Sequence, residues 1–229
     1  MTQKYTDLLF DLDDTLLDFG ATETQALRLL FATYNLEMTP QLEKDYKKFN
    51  QSLWKKLELG TLSRKELLEK RFSTFFKEHL ALDVDGIATG KQYTSFLAQG
   101  HQQIKGAKEL LQDLKKAGYQ LHVVTNGNKN IQYKRLDDSH FNRFFDTIFI
   151  SEEIGYQKPT KQFFEHVFNK LDLVPNQAII IGDSLSSDIK GGINAGIDTL
   201  WYNPAQITNN STIQPTYEIH KLEQIKEIV

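Results

Sequence analysis

Three short apolar runs in this chain stop abruptly at a small or acidic polar residue, and that pattern constrains the fold most. Leu8-Leu9-Phe10 runs into Asp11, Leu121-His122-Val123-Val124 into Thr125, and Ala178-Ile179-Ile180-Ile181 into Gly182-Asp183. Near-continuous apolar runs of this length suit strands buried on both faces of a parallel sheet. Thr147 to Ile150 and Thr199 to Tyr202 are two further candidates. Between them the period becomes helical. Ala107, Leu110, Leu111, Leu114 and Ala117 recur at three- and four-residue steps before Gly118, and Phe163, Phe164, Val167, Phe168 and Leu171 do so before Val174-Pro175. Strand, helix, strand repeated in this way implies right-handed crossovers and a doubly wound α/β fold with a parallel sheet. Ligands in such sheets sit beyond the carboxyl ends of the strands, where the Asp, Thr and Gly residues have collected.

Residues 18–99 read differently. They hold no convincing strand but three helical stretches, Thr22 to Tyr34, Pro40 to Leu59 and Ser63 to Leu80, with start signals at Thr39-Pro40 and Thr61-Leu62-Ser63 and a stop at Gly60. The expected organisation is an all-helical insert at 18–99 within an α/β core made of 1–17 and 100–229. At 229 residues, 40 % hydrophobic and 11 % aromatic, the chain can bury such a core. Its 27 Lys+Arg and 30 Asp+Glu are interspersed, so no single-sign field marks a nucleic-acid or membrane partner. The longest uncharged run, Thr199 to Tyr217, is polar and holds Pro204 and Pro215, which rules out a membrane span. Having no cysteine excludes disulfides, thiolate zinc sites and a cysteine nucleophile. With no signal-like stretch near the start, the expectation is a soluble, cytoplasmic protein.

Chemistry concentrates in four segments. In Asp11-Leu12-Asp13-Asp14-Thr15 alternate side chains share a side, so Asp11, Asp13 and Thr15 can converge while Asp14 turns away as a solvated turn residue. Converging carboxylates repel unless a cation sits between them. In Gly182-Asp183-Ser184-Leu185-Ser186-Ser187-Asp188, Gly182 permits a close turn and Asp183 and Asp188 add oxygen donors of the kind that hard divalent ions take. The plainer readings are an acidic turn in the first segment and helix capping by Ser186 or Ser187 in the second. Thr125-Asn126-Gly127 offers a hydroxyl and backbone N–H groups to a phosphate oxygen, and Lys158-Pro159 offers a point charge, although such turns and lysines are common. The six histidines show no ligand spacing, so no histidine metal site is expected.

Taken in this order, the four segments resemble the haloacid dehalogenase-like superfamily, whose motifs are Asp-x-Asp-x-Thr, a Thr or Ser, a Lys, and Gly-Asp with a further Asp. The resemblance spans Asp11 to Asp188 and continues through Gly191-Gly192-Ile193-Asn194-Ala195-Gly196. It implies a Rossmann-like core, and the insert resembles the α-helical cap of one subclass, which sets specificity. It further implies that Asp11 is a nucleophile forming an aspartyl-phosphate and that Asp13 is the general acid and then the base. Mg²⁺ would be held by the Asp11 carboxylate, the Asp13 backbone carbonyl and Asp183, with Asp188 supporting that shell or orienting Lys158. Thr125, Lys158 and the N–H groups of Leu12 and Asn126 would bind the transferring phosphoryl group. With all four acids ionised, Mg²⁺ and Lys158 leave about one negative charge before substrate arrives.

Asp13 separates this pattern from the true dehalogenases, which attack carbon and lack the second acid. The segment GDSLSSDIKGGINAGIDTLWYN looks like the pyrimidine 5'-nucleotidase branch, which implies a nucleoside 5'-monophosphate as the small-molecule phosphate ester. Neuraminate-phosphate phosphatases carry a similar segment, and sugar-phosphate and phosphoglycolate phosphatases and phosphomutases share the motifs. A non-catalytic phospho-ligand binder would be expected to lose Asp11 or Asp13. Lys105-Gly106 departs from the Pro-Gly that relatives often carry. In the insert, Tyr46, Phe49 and Trp54 could stack on a base, whereas Phe72, Phe75 and Phe76 have the helical spacing of a core. The chain is expected to act as a monomer or homodimer.

Overall fold

The computed structural model describes residues 4–229 apart from the side chain of Glu58. The chain forms two compact units, Met1–Phe19 with His101–Val229, and Gly20–Gly100. The first boundary falls two residues later than expected and the second one residue later. Hydrogen bonds account for the first shift: the Asp18 N–H donates to the Gln102 carbonyl at 2.8 Å and the Phe19 N–H to Asp14 Oδ1 at 2.9 Å, tying both residues to the core.

The inserted unit is helical: α1 (Phe19–Thr33), α2 (Pro40–Glu58), α3 (Arg64–Leu80) and α4 (Gly86–Leu97). Thr39 caps α2 ahead of Pro40, and Ser63 with Glu66 forms a capping box on α3. The sequence pattern left α4 unmarked, because it starts at a glycine and carries a second glycine inside. Close packing is the reason for those glycines. A Cβ on Gly86 would run into the Glu69 carbonyl of α3, and one on Gly90 would lie 3.2 Å from the Leu68 carbonyl. Tyr46, Phe72, Phe75, Phe76 and Tyr93 form a fully buried aromatic cluster, with Tyr46 stacked on Phe72 at 5.5 Å. Tyr46 is therefore core alongside the three phenylalanines, while Phe49 and Trp54 are half-buried.

The larger unit is built on six strands: β1 (Asp7–Phe10), β2 (Gln120–Thr125), β3 (Thr147–Ile150), β4 (Ala178–Gly182), β5 (Asp198–Tyr202) and β6 (Tyr217–Ile219). All pairings are parallel, in the order β3-β2-β1-β4-β5-β6. The strands alternate their side chains between two apolar layers: Leu8, Phe10, Ile179 and Ile181 in one, Leu9, Val124 and Ile180 in the other. Helices α5 (Ala107–Lys116), α6 (Lys129–Asp138), α7 (Ser151–Ile154), α8 (Lys161–Leu171) and α9 (Lys190–Ala195) complete this unit. Strand β6, only three residues long after the polar segment 203–216, is too short to show a period. Winding reverses between β1 and β4, and this switch point opens a crevice at the carboxyl ends of both strands. Among the described residues, no helix is long and apolar enough to cross a membrane.

Candidate active site

Asp11 leaves β1 with its N–H donating to the Ile181 carbonyl of β4 at 2.9 Å, so the two strand ends present their residues side by side. Next comes a tight turn, in which the buried Leu12 accepts both the Leu16 and Leu17 N–H groups. Asp14, with φ of 57°, accepts the Phe19 N–H and is half-buried rather than fully solvated. At the end of β4, Gly182 is obligatory: a Cβ there would occupy the space of the Asp188 carboxyl group. The chain then makes one π-helical turn, Leu185–Ile189. Such turns cluster at functional positions because they re-aim a side chain. Its cap is neither Ser186 nor Ser187 but Ser184, whose hydroxyl accepts the Ser187 N–H at 3.3 Å, because Ser184 alone takes the extended capping conformation.

Lys158 sits at the centre and is 1 % exposed. Its three ammonium hydrogens go to Asp11 Oδ1 at 2.7 Å, Asp188 Oδ1 at 2.6 Å and the Val124 carbonyl at 2.6 Å. Its backbone is fixed as well. The Asn126 side chain donates to the Lys158 carbonyl and accepts the Lys158 N–H, both at 2.9 Å, a clamp that a sequence reading of Asn126 as an N–H donor does not anticipate. Asp188 bonds Lys158 with one oxygen and accepts the Ser184 N–H with the other at 3.1 Å. Thr15 is buried beneath Asp11, its hydroxyl 3.4 Å from Oδ2.

Asp11, Asp183 and Asp188 bring carboxylate oxygens within 4.8 Å of one another. Burial pushes the Asp11 carboxyl up to about 7, with Asp188 and Asp13 adding to the rise and Lys158 opposing it. Burial also pushes Asp183 well above the ordinary carboxylate range, helped by the charges of Asp11, Asp188 and Asp14. At Lys158 burial works to lower the value, but Asp11 and Asp188 outweigh it and keep the ammonium charged. Three acids thus face one lysine. An all-oxygen donor set with surplus negative charge suits a hard divalent cation such as Mg²⁺.

The Asp13 carboxylate lies outside that trio. Gln132 Nε2 donates to its Oδ2 at 2.7 Å and Arg135 Nη1 pairs with its Oδ1. Thr125 ends β2 and is 1 % exposed, its hydroxyl accepting the Gly127 N–H at 3.1 Å and Gln132 Nε2 at 2.9 Å. Gln132 and Arg135 carry no mark in the apolar pattern, because α6 buries them on its inner face beside Ile131 and Leu136. Their signal is the one-turn spacing within a helix that starts directly after Thr125-Asn126-Gly127.

A family model for haloacid dehalogenase-like hydrolases matches residues 8–202, which includes every residue of this cluster. The chain belongs to this hydrolase family. Among members similar to it, the HAD-hydrolase YfnB of Bacillus subtilis is 46 % identical over 228 residues, covering 99 % of this chain and 96 % of YfnB. A crystal structure of YfnB bound to magnesium superposes with a TM-score of 0.94, covering 98 % of each chain. The pyrimidine 5'-nucleotidase PynA of Streptococcus pneumoniae is 40 % identical over 222 residues, 96 % of this chain and 93 % of PynA. The pyrimidine 5'-nucleotidase YjjG of Escherichia coli is 27 % identical over 227 residues, 99 % of this chain and 98 % of YjjG. In this haloacid dehalogenase-like hydrolase, the four motif segments meet at the carboxyl ends of β1, β2 and β4 and at the Lys158 loop.

Proposed function

We propose that this hydrolase is a Mg²⁺-dependent phosphomonoesterase that acts through an aspartyl-phosphate on Asp11, with a nucleoside 5'-monophosphate as substrate. The observation that carries the reading is the Lys158 ammonium locked between Asp11 and Asp188, with Asp183 beside them and Asp13 held apart. The names of PynA and YjjG, relatives along nearly the full chain, support the substrate class.

The Asp11 and Asp183 carboxylates and the Asp13 backbone carbonyl would hold the cation. When bound, it offsets the surplus negative charge and withdraws electron density from the phosphoryl oxygens. Lys158 engages Asp11 Oδ1 and leaves the second oxygen as the attacking atom. That oxygen bonds to phosphorus as the ester P–O bond breaks, and Asp13 passes its proton to the leaving oxygen. Asp13, now a carboxylate, takes a proton from water as the water oxygen bonds to phosphorus. The bond between phosphorus and Asp11 breaks in the same step, releasing inorganic phosphate and restoring both acids. Thr125, Lys158 and the N–H groups of Leu12 and Asn126 hold the phosphoryl oxygens as charge builds on them. Asp188 serves the reaction through Lys158, which it anchors.

The test is phosphate release across a panel of pyrimidine and purine 5'-monophosphates, sugar phosphates and phosphoglycolate, each with Mg²⁺ and with a chelator. The expected result is fastest release from a pyrimidine monophosphate, none after chelation, and recovery when Mg²⁺ is returned. Full turnover in metal-free buffer, or isomerisation of a sugar phosphate in place of phosphate release, overturns the proposal.

A further inference from the structure

Gln132 is 1 % exposed and spends both amide hydrogens and one lone pair of its amide oxygen on one site. One hydrogen of Nε2 goes to Asp13 Oδ2 at 2.7 Å and the other to Thr125 Oγ1 at 2.9 Å, while Oε1 accepts Arg135 Nη1 at 3.1 Å. Arg135 fixes which end of the amide is oxygen, because a guanidinium can only donate. Arg135 is fully buried, pairs with Asp13 Oδ1, and lies with its guanidinium 5.7 Å from the centre of the Phe19 ring. Space for this arrangement depends on Gly127, where a Cβ would run into the Gln132 amide.

We propose that Gln132 and Arg135 are positioning residues, holding the Asp13 carboxyl and the Thr125 hydroxyl in register for phosphoryl transfer. This rests on the reading of Asp13 as the proton donor and acceptor and of Thr125 as a phosphoryl ligand. A carboxylate oxygen has two lone-pair directions, so Gln132 and Arg135 each take one and leave one per oxygen. The Asp13 side chain is 28 % exposed, so the remaining directions are open to a reacting proton. The Thr125 oxygen likewise already accepts from Gly127 and Gln132, which turns its own hydrogen outward, as a donor to a phosphoryl oxygen. Displacements of about 1 Å at reacting groups cost on the order of 100-fold in rate, so a buried clamp on both residues matters to turnover.

The experiment measures first-turnover rates for p-nitrophenyl phosphate, whose phenolate leaves without a proton, and for the best alkyl monophosphate of the panel above, whose alkoxide needs one. Arg135→Met is expected to slow the alkyl ester by about 10- to 100-fold at unchanged KM while the nitrophenolate burst keeps its rate. Should that variant fail to fold, Arg135→Lys carries the same selective loss at smaller size. Gln132→Glu keeps the shape but replaces two donors with acceptors. It should slow both substrates, the alkyl ester more. Equal losses on both substrates in the Arg135 variants, or parental rates in Gln132→Glu, overturn the proposal. Asp13→Asn separates the two layers of the argument. If it shows no leaving-group dependence, the reading of Asp13 itself fails. If it does and the Arg135 variants do not, the clamp alone fails.

Discussion

Both units of this protein bury charge, and they do so in opposite ways. In the helical unit Glu23 and Arg71 are 6 % and 4 % exposed. Asn50 bridges them, donating to Glu23 at 2.8 Å and accepting from Arg71 at 3.1 Å, and the Arg71 guanidinium lies 4.8 Å from the Phe72 ring centre and 4.9 Å from that of Tyr93. One negative charge meets one positive charge, all on helices. In the α/β unit Asp11, Asp183 and Asp188 crowd one lysine beyond the strand ends, and burial drives two of the acids upward. Balanced buried charge holds a scaffold together. Surplus buried charge is tolerated where a cation or substrate completes it, and strongly perturbed acids mark such places.

The largest effect expected from this contrast is at Asp11. Asp11→Asn should reduce phosphate release by on the order of 1000-fold or more, while thermal melting in metal-free buffer stays level or rises as one surplus acid disappears. Parental turnover in this variant breaks the contrast from the site's side. From the scaffold's side, Arg71→Met removes the cation from the Glu23–Asn50 network and should cost about 3–5 kcal/mol by denaturant unfolding, with turnover per folded molecule unchanged. Lost turnover at full stability would mean that the cap network is itself a site. A further effect is a pH dependence of stability. Asp11 titrates near 3.8 in an unfolded chain and at about 7 in the fold. Between these values the metal-free native state keeps a proton that the unfolded chain has lost, so stability falls as pH rises through the window and levels off above about 7. Added Mg²⁺ binds the ionised acids, so its stabilising effect should grow with pH over the same window. Melting curves with chelator and with Mg²⁺ check this, and metal-free stability that climbs with pH across the window contradicts it.

The same contrast explains what can be read from the chain alone. The apolar runs ending at Asp11, Thr125 and Asp183 are legible because a strand buried on both faces must be apolar until the sheet ends, and function begins there. Gln132 and Arg135 escape the apolar pattern, because they occupy buried helix positions that periodicity assigns to residues such as Leu; their one-turn spacing after Thr125-Asn126-Gly127 is the mark they leave. The burial of Lys158 is hidden too: its three acceptors come from residues 11, 124 and 188, far apart in the chain. Ser184 as the cap in place of Ser186 or Ser187 depends on a π-helical turn, whose spacing differs from that of an α-helix by one residue. In the helical unit the caps at Thr39 and Ser63 could be read locally, whereas α4 depends on the close approach of α3 to Gly86 and Gly90.

The central claim is that Asp11 carries the phosphoryl group. Rapid acid quenching during turnover with Mg²⁺, followed by peptide mass spectrometry, tests it directly. The account predicts a phosphoryl adduct on Asp11 that is absent after chelation and absent in Asp11→Asn. Steady turnover with an adduct on another residue, or undiminished turnover by Asp11→Asn, contradicts it.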